Sequence, residues 1–348
     1  MTKKKQPAVD WRNAAEALAE TLPLSRLHPA VMTWAEGCSS RARWSVAFSG
    51  GADSLALLLL VWVHWPERRK NLTALHFNHR LRGWESQGDE KFCRQVCAAL
   101  GVKFISDSWK SARKGATEAE ARAARHDFFG KHSRVLWLGH QQDDIAETIL
   151  MRVARGSGTA GLAAPRPVQQ RPAGRVHLRP LLTVKKSEIV AALRSAKISW
   201  REDSSNHAAD FFRNRVRRDV LPAWTAASGR DAFGGAARAR ELLEEDDVAL
   251  EQWLTELAPM EANGTLALER LSGKPRAILR RALHRWLLAQ TAAGELSRQA
   301  FETLLEAIAR GEPTRQSLGS RGFAVIRGGL LRFEFLGKRR GKFHRSAN

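Results

Sequence analysis

The 348-residue chain is long enough to bury two cores, and its 57 lysines and arginines against 36 acidic residues leave a net charge of +21. A field of that sign favours a polyanionic partner, nucleic acid above all, with strong salt dependence; the alternative is a scatter of solvated surface arginine. Three cysteines make no disulfide framework, the run Leu55 to Val63 is too short for a bilayer, and no apolar segment follows Lys3 to Lys5, so a soluble cytoplasmic protein with no membrane association is expected.

Residues 1–42 read as an N-terminal extension. Trp44 to Phe48 is short, apolar and partly β-branched, as in a buried strand, and Leu55 to Val63 suits a buried helix. Between them stand Ser49, Gly50, Gly51, Ala52, Asp53 and Ser54. The glycines allow positive φ and close approach to bare backbone, while Asp53 and Ser54 suit a helix N-cap. Strand, glycine turn and helix N-terminus together make an anion site, with phosphate as its natural ligand. No lysine completes a Walker loop, and adjacent glycines do not supply the G-x-G-x-x-G of dinucleotide sites.

Further along, Leu72 to Phe77, Val102 to Ile105 and Arg134 to Leu138 read as strands. Gly88 to Leu100, Glu118 to Lys131 and Asp143 to Ala154 read as the helices between and after them. This alternation predicts an α/β fold, a doubly wound, mostly parallel, Rossmann-like sheet, with ligands beyond the carboxyl ends of its strands. From Gly156 the chain reads as a mobile loop near the site, and Lys185 to Lys197 as a helix. A first domain is placed at 43–222 and a smaller, mostly helical one at 223–336, to which the resemblance given below assigns RNA binding. The second contains helices over Ala236 to Leu257, Pro275 to Gln290 and Ser297 to Arg310. It closes on a hairpin of Phe323 to Arg327 and Leu330 to Leu336 through Gly328-Gly329. Residues 337–348 form a basic tail, expected to be disordered.

Three more stretches carry chemistry. In "GHQQDDIAET", His140 ends a strand, and Asp143, Asp144 and Glu147 fill the loop and first helical turn; Asp144 and Glu147 share a face at i,i+3. Acidic residues there are also ordinary complements to the helix dipole, but these lie on the phosphate-loop edge, where Mg²⁺ needs oxygen ligands and an amine needs a negative partner. In "HFNHRLRG" and "EAEARAARHDFF", His76, His79, Arg80 and Arg82 follow a strand, and Arg122 and Arg125 share a helix face. Contact with phosphate or base suits the first group better than zinc; the arginine pair suits either a ligand or a solvated face salted by Glu118 and Glu120. In "SWREDSSNHAADFFRNRVRRDVLP", Arg213, Arg215, Arg217 and Arg218 crowd Phe211 and Phe212, a mixture suited to phosphate contact and base stacking. Cys93 and Cys97, at i,i+4, read as packed or surface thiols.

The run Ser49 to Ser54 resembles the PP-loop of the ATP pyrophosphatases. With "HFNHRLRG", "RAARHDFF", "GHQQDDIAET", "RPLL" and "EDSSN…FFRNRVRRDVLP", it resembles the tRNA(Ile)-lysidine synthetases, over roughly Val46 to Pro222. Gln141 stands where that family usually has histidine, and Ile145 where glutamine is common. The resemblance implies a ligase that adenylates C2 of the wobble cytidine in a tRNA(Ile) with anticodon CAU and then joins free L-lysine there. ATP and Mg²⁺ would be used, AMP and pyrophosphate released, and a homodimer is what the resemblance suggests. It implies that Ser49 to Ser54 and His140 bind ATP, that Asp53 and Asp143 hold Mg²⁺, and that Asp53, Asp144 and Glu147 serve the chemistry. Substrate contacts fall to His79, Arg82, Arg122, Arg125, Asp144, Glu147, Arg213 and Arg217. A tRNA base thiolase and a non-catalytic RNA-binding protein on the same fold are the alternatives, although Cys93-x-x-x-Cys97 is not the C-x-x-C usual in such thiolases.

Overall fold

The computed structural model describes residues 9–78, 84–109, 118–202, 212–290, 296–319 and 322–336. Its elements run α1 (Trp11–Thr21), α2 (Pro29–Glu36), β1 (Trp44–Ala47), α3 (Ala52–His64), β2 (Leu72–Asn78), α4 (Trp84–Leu100), β3 (Lys103–Ser108), α5 (Glu118–His132), β4 (Val135–Trp137) and α6 (Gln142–Val153). There follow α7 (Thr159–Leu162), β5 (Val168–Arg171), β6 (Arg175–Leu178), α8 (Lys186–Ser195), α9 (Phe212–Arg215) and α10 (Leu221–Ser228). The chain ends through α11 (Ala232–Leu257), β7 (Leu266–Ala267), α12 (Arg276–Ala289), α13 (Arg298–Arg310), β8 (Thr314–Ser317), β9 (Gly322–Arg327) and β10 (Leu330–Phe335).

Six strands form one sheet in the order β3-β2-β1-β4-β6-β5, parallel throughout except for β5 at its edge. The chain builds outward from β1 through β2 to β3, then returns to β1's other side with β4. The loops after β1 and β4 therefore flank a topological switch point, where open α/β sheets bind ligands. Alternation along each strand divides the apolar residues between two faces. Trp44, Val46, Leu72, Ala74 and Trp137 join α1, α2, α3, α4 and α8 in one core, while Leu75, Leu136 and Leu138 meet Phe128 and Phe129 of α5 in another. The nine consecutive buried residues Ser54 to Trp62 leave α3 no polar face, so it lies within the protein.

The structure fills in two expectations and overturns one, the loop after Gly156. The extension before β1 is structured: α1 and α2 bury Ala15, Leu18 and Val31 completely. The glycine- and proline-rich stretch after Gly156 is not a loop throughout, for it supplies α7 and the β5–β6 hairpin. That hairpin turns over Pro172–Gly174 with positive φ at Ala173 and Gly174, and half-exposed Gln169 beside exposed Gln170 hides its strand periodicity. The closing hairpin does form through Gly328-Gly329, both at positive φ, but β7 and β8 extend it to a four-stranded antiparallel sheet.

The chain divides into compact units at Met1–Glu244 and Glu245–Asn348, later than residue 222. Packing explains the difference. Phe233, Ala236 and Ala237 of α11 join Ile145, Leu182 and Val216 in the first unit, whereas Leu250, Leu254 and Leu257 belong to the second unit's core with Ile278, Leu283, Leu304 and Leu331. The tail 337–348 lies outside the described residues.

Candidate active site

The turn after β1 is held from within. Gly50 has φ +87°, and the Ser54 hydroxyl donates to the Gly51 carbonyl at 3.0 Å while accepting the Ser49 N–H at 3.2 Å. Gly51, not Asp53 or Ser54, is the N-cap of α3, and having no side chain it makes no capping bond. The first-turn N–H groups of α3 therefore have no intrahelical acceptor, which suits them to a phosphate. His76 belongs beneath this loop rather than against a ligand: it is buried, and its Nδ1 donates to the Phe48 carbonyl at 2.9 Å. Burial comes first among the causes that lower its pKa. Arg201 braces the loop from outside, its N–H donating to the Gly50 carbonyl at 3.0 Å and its Nε to Asp89 at 2.6 Å.

The loop after β4 presses on the same turn. A Cβ built on Gly139 would stand 3.0 Å from the carbonyl carbon and oxygen of Asp53 and 3.2 Å from the Ser54 nitrogen. Backbone cannot swing aside as a side chain can, so Gly139→Ala should part the two loops. It is expected to cost about 1–3 kcal/mol of stability and to weaken nucleotide binding about tenfold or more, as small misplacements of a site do. Calorimetric binding beside a thermal melt checks both.

Gln141 caps α6, accepting the Asp143 N–H at 2.5 Å, and Asp144 Oδ2 accepts the Gln141 N–H at 2.9 Å. Ile145 is core, packed with Leu182, Val216 and Leu221. The two departures from the resembled pattern thus leave the carboxylates on one face, as their spacing requires. Glu147 is only 1% exposed and Asp144 8%, so neither is an ordinary solvated dipole complement. Arg213 joins them, its Nε donating to Glu147 Oε2 at 2.6 Å and its Nη2 to Asp144 Oδ1. Arg217 Nε donates to Glu147 Oε1 at 2.6 Å. The α-helical Phe212–Arg215 gives way to a π-helical Val216–Val220 between these arginines, a local widening common at functional sites. Arg218 turns instead to its neighbour Asp219, and Arg215 lies over the ring of Phe212.

Lys186, which the sequence reading passed over, ties the two edges together. Its Nζ donates to Asp53 Oδ1 at 2.6 Å and its backbone N–H to Asp143 Oδ1 at 3.2 Å. Burial raises the pKa of Asp53, opposed by the Lys186 ammonium and reinforced by Asp144; burial likewise raises that of Asp143. Among the described residues no cluster of three or more metal-ligating side chains occurs. Two hard carboxylates brought to one lysine nevertheless fit Mg²⁺, which takes one or two carboxylates and completes its shell with water and phosphate.

Beyond the carboxylates lies a crowd of arginines. His140 Nδ1 accepts from Arg179 Nε at 3.2 Å, which places the ring's own proton on Nε2. Burial and then Arg179, Arg213, Arg125 and Arg122 push His140 well below the usual histidine range, so the ring is neutral. Arg179 is buried, and its guanidinium also bonds the Arg166 carbonyl and Gln169 Oε1. Burial, Arg122 and Arg171 bring Arg179 down to about 10. His126 and His177 stack at 6.1 Å, and burial followed by the surrounding arginines lowers them to about 4 and about 3. The structure thus brings Arg122 and Arg125 into the neighbourhood of His140; His79 and Arg82 lie outside the described residues. Cys93 and Cys97 are buried, with thiol pKa values raised chiefly by burial, as packed side chains rather than reactive ones.

Residues 25–224, more than half of the chain, match the PP-loop domain family. The chain belongs to the PP-loop family. The turn Ser49 to Ser54, at the sheet's switch point, lies within the matched span. Among curated relatives, the chain is 35% identical over 273 residues to the tRNA(Ile)-lysidine synthase of Geobacter sulfurreducens, covering 74% of this chain and 56% of that one. It is 38% identical over 286 residues to the protein of the same name from Pseudomonas syringae pv. tomato, covering 77% and 61%. The chain thus spans less than two thirds of the length of these relatives. In fold it is similar to the U34-tRNA thiolase NcsA from Methanococcus maripaludis, with a TM-score of 0.51 and 17% identity over 67% of this chain and 78% of that one. Among the described residues no helix is long and apolar enough to cross a membrane.

Proposed function

We propose that this PP-loop protein is a tRNA(Ile)-lysidine synthetase. It would ligate free L-lysine to C2 of the wobble cytidine in a tRNA(Ile) bearing CAU, at the expense of ATP. The carrying observation is the convergence on one sheet edge of a turn suited to phosphate with an alternating set of charges, buried Asp144 and Glu147 against the more exposed Arg213 and Arg217. The names of the relatives point to the same reaction. An amino acid with a charged side chain presents both signs of charge, and paired carboxylates and guanidiniums match it in kind. Each carboxylate oxygen of Glu147 accepts a bond from an arginine Nε and has a second lone-pair direction to offer an ammonium.

In the first step the cytidine O2 bonds to the α-phosphorus of ATP, and the bond to pyrophosphate breaks. In the second, the lysine ε-amine bonds to C2 and AMP leaves with the oxygen. The N–H groups opening α3 face the phosphates, and Arg122 and Arg125 add positive charge for them. Asp53 and Asp143 would hold Mg²⁺, which would supply positive charge against that building on the departing pyrophosphate. Lysine's amine has a reference pKa of about 10.4, so the ammonium must lose a proton before attack. Asp144 and Glu147 hold that ammonium, and Arg213 and Arg217 its carboxylate. The arginines around His140 and His177, with the net charge of +21, suit the RNA backbone.

Incubation with ATP, Mg²⁺, radiolabelled lysine and a tRNA(Ile) transcript bearing CAU tests the proposal. Label should enter the RNA, and a wobble C-to-U change should abolish it. AMP release without label would point to another nucleophile, sulfur first. Neither signal, with an active control enzyme on the same transcript, would leave an RNA-binding protein.

A further inference from the structure

Two consecutive lysines, Lys185 and Lys186, open α8, the end of a helix where cations are disfavoured. Each has a carboxylate to answer for it. Lys185 Nζ meets Asp231 Oδ2 at 2.7 Å, an exposed pair on the surface. Lys186 instead points into the PP-loop site. Its backbone is fixed: the neighbouring Val184 carbonyl accepts the Gln142 N–H at 2.9 Å, and its own N–H donates to Asp143 at 3.2 Å. Only the side chain is left to move. It crosses from the Asp143 edge to the Asp53 edge, and with 39% of its side chain exposed it is within reach of an entering ligand.

We propose that Lys186 is an internal counter-ion that holds Asp53 in the nucleotide-free site and releases it to the metal only when nucleotide arrives, its ammonium then moving onto the polyphosphate. The proposal rests on reading Asp53 as a metal-side carboxylate. A lysine on the carboxylate that must receive Mg²⁺ would otherwise be a standing competitor of the reaction. Its flexible stem resolves the conflict, because the incoming phosphates offer the ammonium a more highly charged partner. Without nucleotide, the metal would have to displace a bonded cation and gain no phosphate in exchange. Metal and nucleotide are thereby coupled, each favouring the other by the same factor.

The test measures binding alone, with neither tRNA nor lysine present, so it stands apart from the ligase assay. Mn²⁺ binding to the nucleotide-free protein is followed by electron paramagnetic resonance, and binding of a non-hydrolysable ATP analogue with Mg²⁺ by calorimetry. In Lys186→Met, Mn²⁺ alone should bind about tenfold tighter and the analogue about tenfold weaker, the ordinary size of such a coupling. Lys186→Gln should behave alike should the methionine variant fold poorly, and Lys186→Arg should stay near wild type. Adding Asp53→Asn to Lys186→Met should remove the gained Mn²⁺ affinity. Wild-type Mn²⁺ affinity in both neutral variants would overturn the proposal, as would Mn²⁺ gained in Lys186→Met and kept in the double variant.

Discussion

Asp53→Ala should lower tRNA-dependent AMP release by about 10²–10³-fold, the loss typical when one preorganised electrostatic element is removed from a reacting phosphate. The fold should hardly notice. Asp53 lies in the first turn of α3, where alanine is a good helix former, and its bond to Lys186 is partly exposed. Pairs of that kind contribute at most about 1 kcal/mol. A thermal melt near wild type beside a collapsed rate would locate the defect in the chemistry. Wild-type AMP release would remove Asp53 from it.

Glu147→Ala should raise the lysine concentration needed for half-maximal ligation by about tenfold or more, roughly the worth of one charge-assisted hydrogen bond in a shielded site. Unlike Asp53, Glu147 is a hub, for it accepts from both Arg213 and Arg217. Removing one partner of a buried pair costs about 3–5 kcal/mol when the other stays buried. Arg213 and Arg217 keep 28% and 44% of their side chains exposed, so water recovers part of that cost, and about 1–2 kcal/mol is expected. Glu147→Gln keeps the shape and one acceptor, and should separate the two effects: a melt close to wild type with the lysine requirement still raised. A lysine titration of AMP release and product, run on both variants, checks this; an unchanged requirement in both would take Glu147 out of lysine binding.

The sheet was readable because β1, β2 and β4 carry apolar residues on both faces and α3 is apolar nearly all round, so most of their burial follows from composition. The strand-turn-helix at Ser49 to Ser54 was readable because glycines that permit positive φ stand between an apolar strand and an apolar helix, followed by Asp53 and Ser54. What stayed hidden was set by contacts distant in sequence. Gln169 and Gln170 do not look like strand residues, and β5 exists because β6 offers it an edge. His76 looks like a ligand until Phe48 claims its Nδ1. Lys186 carries no signal among 57 basic residues, and only the approach of α8 to Asp53 singles it out. Asp144 and Glu147 were legible as a pair, but their engagement by Arg213 and Arg217 spans about seventy residues of chain.

The cap of α6 bears on how freely this site can drift. Position 141 needs only an acceptor that reaches the Asp143 N–H, and glutamine meets that need with Oε1. Histidine could do the same, and the protein contains the demonstration: His28 begins α2, its Nδ1 accepting the Ala30 N–H at 3.2 Å. The two residue types are therefore interchangeable at position 141 as far as the helix is concerned, which accounts for a glutamine where the resembled synthetases usually carry histidine. Asp144 has no such latitude. One of its oxygens closes the cap and the other holds Arg213, so neither aspartate-to-asparagine nor aspartate-to-glutamate exchange preserves both bonds. Across homologous sequences, position 141 should wander among hydrogen-bond acceptors while position 144 stays fixed.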